Sequence, residues 1–229
     1  TRIGSSAASD VYKRQNYDYT DGMSQSNISS LTDDEVDNLI KPSGSVDNKS
    51  DYAYIFEPHE YYTQAAIYKI LDEGLRVKTA TRKFSIKGKE YDYGTYMIPV
   101  QNQELNSDEI YKLLNKVSKE YNVNFESHST GITDGIDFGS NNFIIVKQPR
   151  IGLIVGDGVR SYDAGEIWHL LDVRFDIPIS KLDIGNLGYI DLNKYSHIIL
   201  PDYNGSRINS DQIKEYVNNG GNLIAYRNS

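Results

Sequence analysis

Residues 150–183 constrain the fold of this chain more tightly than any other stretch. Ile151–Val155 reads IGLIV, an unbroken apolar run that suits a strand buried on both faces, as in a parallel sheet. Gly156-Asp157-Gly158 follows as a tight turn, and Ser161 stands where a helix cap belongs. A helix over 161–174 would bury Ala164, Ile167, Trp168 and Leu171, with Phe175 just beyond it. A strand, a turn and a helix in that order open a doubly wound domain.

The rest of the segment 149–229 continues the pattern. Strands are predicted at 179–182, at 195–200 before Pro201-Asp202, and at 222–226. Ser210 is the expected cap of a helix carrying Ile213, Tyr216 and Val217, closed by Gly220-Gly221. Only three residues follow the fourth strand, whereas a doubly wound sheet covers both of its faces with helices. The expectation is therefore a truncated doubly wound, flavodoxin-like parallel sheet, and a chain that is a fragment of a larger protein.

Upstream, residues 51–148 read as a first α/β unit. A strand at 52–56, a helix over 61–73 with Ala66, Ile67, Ile70 and Leu71 on one face, a closing Gly74 and a strand at 75–80 make a βαβ pattern. Strands at 84–86 and 91–93 flank Lys87-Gly88-Lys89 as a hairpin, and 95–100 is a further apolar strand. Ser107 would cap a helix to Tyr121 bearing Ile110, Leu113, Leu114 and Val117, followed by a strand at 123–126. Residues 128–142, with Gly131, Gly135 and Gly139, read as a loop before a short strand at 143–146. The fold class that follows is α/β, as two consecutive βαβ-type units.

Residues 16–50 are rich in Asp, Ser and Asn and suit a linker or the tail of a preceding domain. Their one helical pattern has Thr32 and Glu35 in capping-box positions, with Val36, Leu39 and Ile40 on a face before Pro42. Residues 1–15 have no hydrophobic period and resemble translated sequencing-adapter read-through, so they are set aside from the fold. Their Arg2, Lys13 and Arg14 outnumber Asp10, so the remaining chain is more acidic than the overall charge of −8.

That acidity narrows the partners. The 24 Lys and Arg are scattered among 32 Asp and Glu, without the basic stripe that nucleic acid requires, so no nucleic-acid partner is expected. No apolar run approaches the roughly 18 residues of a membrane helix, so no span is expected either. The chain has no cysteine, which removes disulfides, thiolate metal ligands and cysteine nucleophiles.

Asp157, Ser161, Tyr162 and Asp163 are the candidate ligand-binding residues, because they cluster at the carboxyl end of a strand, where open α/β sheets bind ligands. The same residues also serve as helix caps and as charges favouring a helix N-terminus. A dinucleotide fingerprint would need a glycine at position 161, and Asp157 would repel a phosphate. His169 with Glu166, and His59 with Glu57 and Glu60, are each short of the three or four ligands of a zinc site. His128-Ser129-Thr130 places hydroxyls beside an imidazole, yet no Gly-x-Ser-x-Gly elbow and no His-x-x-Glu pair occurs. No catalytic site and no cofactor site is assembled from these motifs.

Several ordered phrases carry a family resemblance: AYIFEPHEYYTQAAIYKILDEGLRVKTATRKFS, YGTYMIPVQNQ, GIDFGSNNF and IGLIVGDGVRSYDAGEIWHLLDVRFDIPISKLD. Over 51–229 the chain resembles the C-terminal portion of large bacterial zinc carboxypeptidase family proteins of Bacteroidetes type, including the start of a class I glutamine amidotransferase-like domain. The resemblance implies a non-catalytic accessory region, periplasmic or extracellular, whose partner is the upstream peptidase domain of the same chain and whose neighbourhood includes peptide substrates. The family's zinc, its His-x-x-Glu pair, later His and catalytic glutamate belong to that upstream domain, so no cofactor is implied for this segment. Two alternatives stay open: a doubly wound module binding a small ligand at Asp157 to Asp163, and a hydrolase whose nucleophile lies beyond Ser229.

Overall fold

The computed structural model describes residues 44–206 and 208–227. Residues 1–15, the Thr32 helical pattern and most of the 16–50 segment lie outside the described residues. The first unit comprises β1 (Ala53–Phe56), α1 (Thr63–Asp72), β2 (Lys78–Ala80), β3 (Phe84–Ile86), β4 (Lys89–Tyr91), β5 (Tyr96–Pro99), α2 (Ser107–Tyr121), β6 (Glu126–His128) and β7 (Phe143–Ile145).

Five of its strands form one sheet in the order β6-β1-β5-β2-β7, every neighbouring pair antiparallel. β1 and β2 therefore run the same way with β5 between them, and β5 and β6 run the same way with β1 between them. The βαβ pattern read from sequence is thus realised as two interleaved split units, the arrangement of ferredoxin-like sheets, with β7 added at one edge. The interleaving explains why all four residues of β1 are buried. Tyr54 and Phe56 pack against the helices through Ile70, Ile110 and Leu114. Ala53 and Ile55 face the opposite layer, made by the β3–β4 hairpin and by Ile136 and Phe138 of the 129–142 loop.

Local chemistry fixes the boundaries. α1 stops at Gly74, whose φ of +83° lets its amide reach Leu71 O at 3.0 Å. α2 is capped by Asn106 rather than Ser107: the Asn106 side chain accepts from the amides of Asp108 and Glu109, and the Glu109 carboxylate accepts from the Asn106 amide. The hairpin turns through Lys87 and Gly88 alone, both at positive φ, so Phe84 faces Tyr91 and β4 begins two residues earlier than the glycine signal suggested. β6 starts later than expected, at Glu126, because Val123 and Phe125 are spent in the helix-side core before the strand pairs with β1.

The second unit comprises β8 (Ile151–Val155), α3 (Ser161–Trp168), β9 (Ile179–Asp183), β10 (His197–Leu200), α4 (Ser210–Asn218) and β11 (Asn222–Ala225). Its four strands are all parallel, in the order β11-β10-β8-β9. Chain order thus reverses beside β8. α3 packs one face through Ala164 onto Leu153 and Ile199. Tyr216 of α4 and the 3₁₀ turns carrying Leu187 and Leu192 cover the other face over Ile154, Leu182 and Ile198. The caps again lie one residue before the serines, Arg160 for α3 with no side-chain bond and Asn209 for α4.

Beyond Trp168 the helix widens into a π-helical turn, His169–Arg174, closed by the Phe175 amide on Leu170 O at 3.1 Å. That turn delivers Phe175 edge-on to Tyr61 and Tyr62 of the first unit, at ring separations of 5.6 and 5.9 Å. Arg174 Nη1 donates to the Tyr61 hydroxyl at 2.6 Å, and the Tyr121 hydroxyl donates to Asp176 at 3.3 Å. No helix among the described residues is long and apolar enough to cross a membrane.

Candidate functional site

The carboxyl edge of the parallel sheet is where the second unit can present chemistry. β8 ends in Gly156 and Gly158, at φ of +108° and +83°, which lets the turn fold back tightly. A side chain at position 158 would place its Cβ 2.9 Å from Tyr203 Cε2, so glycine is required where this turn meets the segment after β10. There the two loops are zipped together. Val159 and Tyr203 form an antiparallel bridge, the Arg160 amide donates to Asp202 O at 2.9 Å and the Asn204 amide to Gly158 O at 2.9 Å. Arg160 Nη1 adds a 3.5 Å contact to the Asp202 carboxylate. The crevice between β8 and β10, at the point where strand order reverses, is spanned by the protein's own backbone.

The four sequence-predicted site residues part company here. Asp157 is exposed on the turn, Ser161 is the first residue of α3, and Tyr162 is 79% exposed on the outer surface. Asp163 points inward at 5% exposure and accepts from Arg227 Nη1 at 3.2 Å. Arg227 follows β11 at a φ of +63°, so the end of one strand clamps the first turn of a helix 64 residues earlier. Ser161 lines a slot of about 330 Å³ together with Leu153, Val155, Ala164, Trp168 and Lys181. Lys181 Nζ lies 4.6 Å over the Trp168 ring, and Trp168 Nε1 donates to Asp172 at 3.1 Å.

The first unit holds a cluster that motif reading did not identify. Lys89 bonds the Glu126 carboxylate through one oxygen, and the Tyr91 hydroxyl donates to the other at 2.7 Å. Glu57 stands 3.8 Å from the Lys89 ammonium, and His59 lies 3.9 Å beyond it. Burial, aided by the Glu126 carboxylate, pushes the Tyr91 hydroxyl far above the usual phenol range. Burial opposes ionisation of Glu126, but the bonds from Lys89 and Tyr91 outweigh it and hold the carboxyl below its ordinary value. Tyr91 is therefore a fixed donor and Glu126 a fixed anion, neither of them poised to exchange a proton near neutrality. An open polar cleft of about 440 Å³ lies alongside, lined by Glu57, Lys83, Phe84, Tyr91 and Asp134.

Of the histidine pairings read from sequence, His59 keeps Glu57 at 3.9 Å and the others do not assemble. Glu60 turns away from His59 to Asn124, accepting its amide at 2.9 Å and its side chain at 2.7 Å. His169 and Glu166 are both exposed. His128 faces the interior, while the neighbouring Ser129 is exposed. Among the described residues no group of three or more His, Asp or Glu side chains could hold a metal ion. The strand alternation of Lys89 with Tyr91 and of Glu126 with His128 was the available signal for the first-unit cluster, but it does not show that the two strands meet.

A scan against family models, a search of curated proteins and a search of solved structures find no match to this chain.

Proposed function

We propose that this chain is a non-catalytic accessory region of a zinc metallocarboxypeptidase-type protein, in which the paired α/β units position the peptidase domain or its peptide substrate outside the cytoplasm. The observation that carries the reading is the closed carboxyl edge of the parallel sheet. The Val159–Tyr203 bridge spans the crevice, and Arg227, placed after β11 where a strand-to-helix elbow could hold a nucleophile, is instead ion-paired to Asp163. The donor set of the described residues does not fit a zinc ion, and the reading assigns the family's metal to an upstream domain. The doubly wound part corresponds in this reading to the beginning of an amidotransferase-like, flavodoxin-type sheet without amidotransferase chemistry.

The gene sequence upstream of Thr1 tests the proposal. A His-x-x-Glu zinc pair in the same reading frame is the expected result, and an upstream region without one removes the basis for the reading. The isolated 229-residue chain should show no zinc-dependent carboxypeptidase turnover.

A second reading rests on the slot beside α3. Its apolar floor, the Trp168 ring, the Lys181 ammonium and the Ser161 hydroxyl suit a small anionic ligand with an apolar body. Thermal-shift measurements against a panel of aromatic carboxylates and phosphates distinguish the two. A stabilisation abolished by Trp168→Ala favours a ligand module, and an unmoved melting point favours the accessory role.

A further inference from the structure

His128 is the one imidazole in the described chain that is buried, at 6% exposure, and neither of its ring nitrogens has a hydrogen-bond partner among the described residues. A neutral imidazole must normally place one donor and one acceptor, so its position here is that of an aromatic wedge. Its ring stands edge-on to Tyr91 at 6.3 Å and to Phe138 at 6.1 Å. Phe138 in turn packs on Phe84 at 6.0 Å and Phe143 at 5.3 Å, and with Ile136 it fastens the 129–142 loop over the back of the five-stranded sheet. His128 is therefore the inner face of the contact that holds this loop down.

We propose that His128 is an acid-operated latch: protonation of its buried ring releases the Phe138 segment of the 129–142 loop from the back face of the five-stranded sheet. A cationic ring has two donors and no acceptor, and both need partners that the site does not offer. The carboxylate that most favours the cation, Glu126 two residues back on β6, already has one oxygen on Lys89 and the other on the Tyr91 hydroxyl. From the other elements around the ring, Asp47 of the segment before β1 favours the cation. Lys87 of the hairpin turn and Lys89 of β4 oppose it. Burial outweighs the carboxylates and holds the imidazole below its ordinary range.

The motion falls on the side chain and the loop, because the β6 backbone is held independently. Ser50 Oγ donates to His128 O at 2.7 Å, and β6 pairs with β1 from Ala53 to Ile55. Asp134 of the same loop, part of the wall of the 440 Å³ cleft, is tied to Ser85 by two 2.8 Å backbone bonds, so the release falls on the Phe138 side of the loop.

Hydrogen exchange of the full chain, corrected for intrinsic rates, tests the latch between pH 7.5 and 5. Exchange in 135–142, the Phe138 side of the loop, should rise about tenfold for each unit separating the buried from the solvated imidazole, while α2 is unchanged. In His128→Phe the rise should vanish. An equal rise in that variant, or none in the wild type, overturns the proposal. Proton NMR of the wild type gives a readout that does not depend on the variant folding. The His128 ring signal should titrate below 6.5 together with the Phe138 ring signals, and titration at or above 6.5, or with unmoved Phe138 signals, rejects the latch.

Discussion

The two units solve the burial problem in opposite ways. The five-stranded sheet is covered on both faces by elements distant in sequence, helices on one side and a hairpin with a loop on the other. Between β4 and β6 it buries Tyr91 beneath a part-exposed Glu126–Lys89 pair. The four-stranded sheet is built from successive parallel crossovers and places its ion pairs at the carboxyl edge, as Arg160–Asp202 and Arg227–Asp163, with Asp163 itself buried. Its cover is thinner, since α3 buries only Asp163 and Ala164 and Ile224 of β11 remains 48% exposed. The first unit buries His128 with no hydrogen-bond partner for its ring among the described residues, which makes it the more sensitive to pH, whereas the second pairs its buried Asp163 with Arg227.

The sharpest way to break this contrast is a pair of core truncations. Leu114→Ala, in the helix-side core of the first unit, should cost about 2–5 kcal/mol by denaturant unfolding. Ile224→Ala should cost well under about 1 kcal/mol, because its side chain is already half in water. Comparable losses would mean that the second sheet is covered more completely than its described face.

Glu126→Gln should follow, at about 1 kcal/mol or less, because Lys89 is half exposed and keeps Glu57 at 3.8 Å. The pH dependence carries a definite sign. Glu126 has a lowered folded value, so its contribution is present above the unfolded carboxyl value and is lost as pH falls through the folded one. Urea unfolding from pH 7 to 3 should therefore show an acid limb that the variant flattens. His128, also lowered, adds an earlier loss starting as pH falls below about 6.5.

Smaller effects test the helix ends and the rim. Asn106→Ala should cost about 1 kcal/mol, and Ser107→Ala only a few tenths of that, since Ser107 is the first helical residue and not the cap. Arg227→Ala should cost less than about 1 kcal/mol, its guanidinium being half exposed. A larger loss would show that Asp163 depends on that partner and would move the rim toward the behaviour of the first unit.

What could be read from the amino-acid order follows the range of the forces involved. β8 lies where the IGLIV run predicts it, Gly74 closes α1, and the α/β class with a parallel sheet over the second unit stands. Each serine chosen as a cap lies one residue inside its helix, because the preceding Asn106 and Asn209 present the better acceptor and Arg160 caps by backbone alone. The insertion of β5 between β1 and β2 was not legible, since pairing of distant strands leaves no local period. The same holds for the candidate residues. Asp163 was legible as a charge at a helix start, but its partner Arg227 lies beyond three further strands, and Tyr91 meets Glu126 across 35 positions.

The π-helical turn at His169–Arg174 has a mechanical consequence. A wide turn holds one residue more than an α-helical one, and each α-helical residue advances the chain by about 100°. Were the same residues to run as regular α-helix, Phe175 would swing about a quarter of a revolution or more away from Tyr61 and Tyr62, whereas deleting one residue along with the wide turn would keep its direction and only shorten the helix. The turn thus acts as a shim one residue thick, setting the angle at which one half of the molecule is presented to the other.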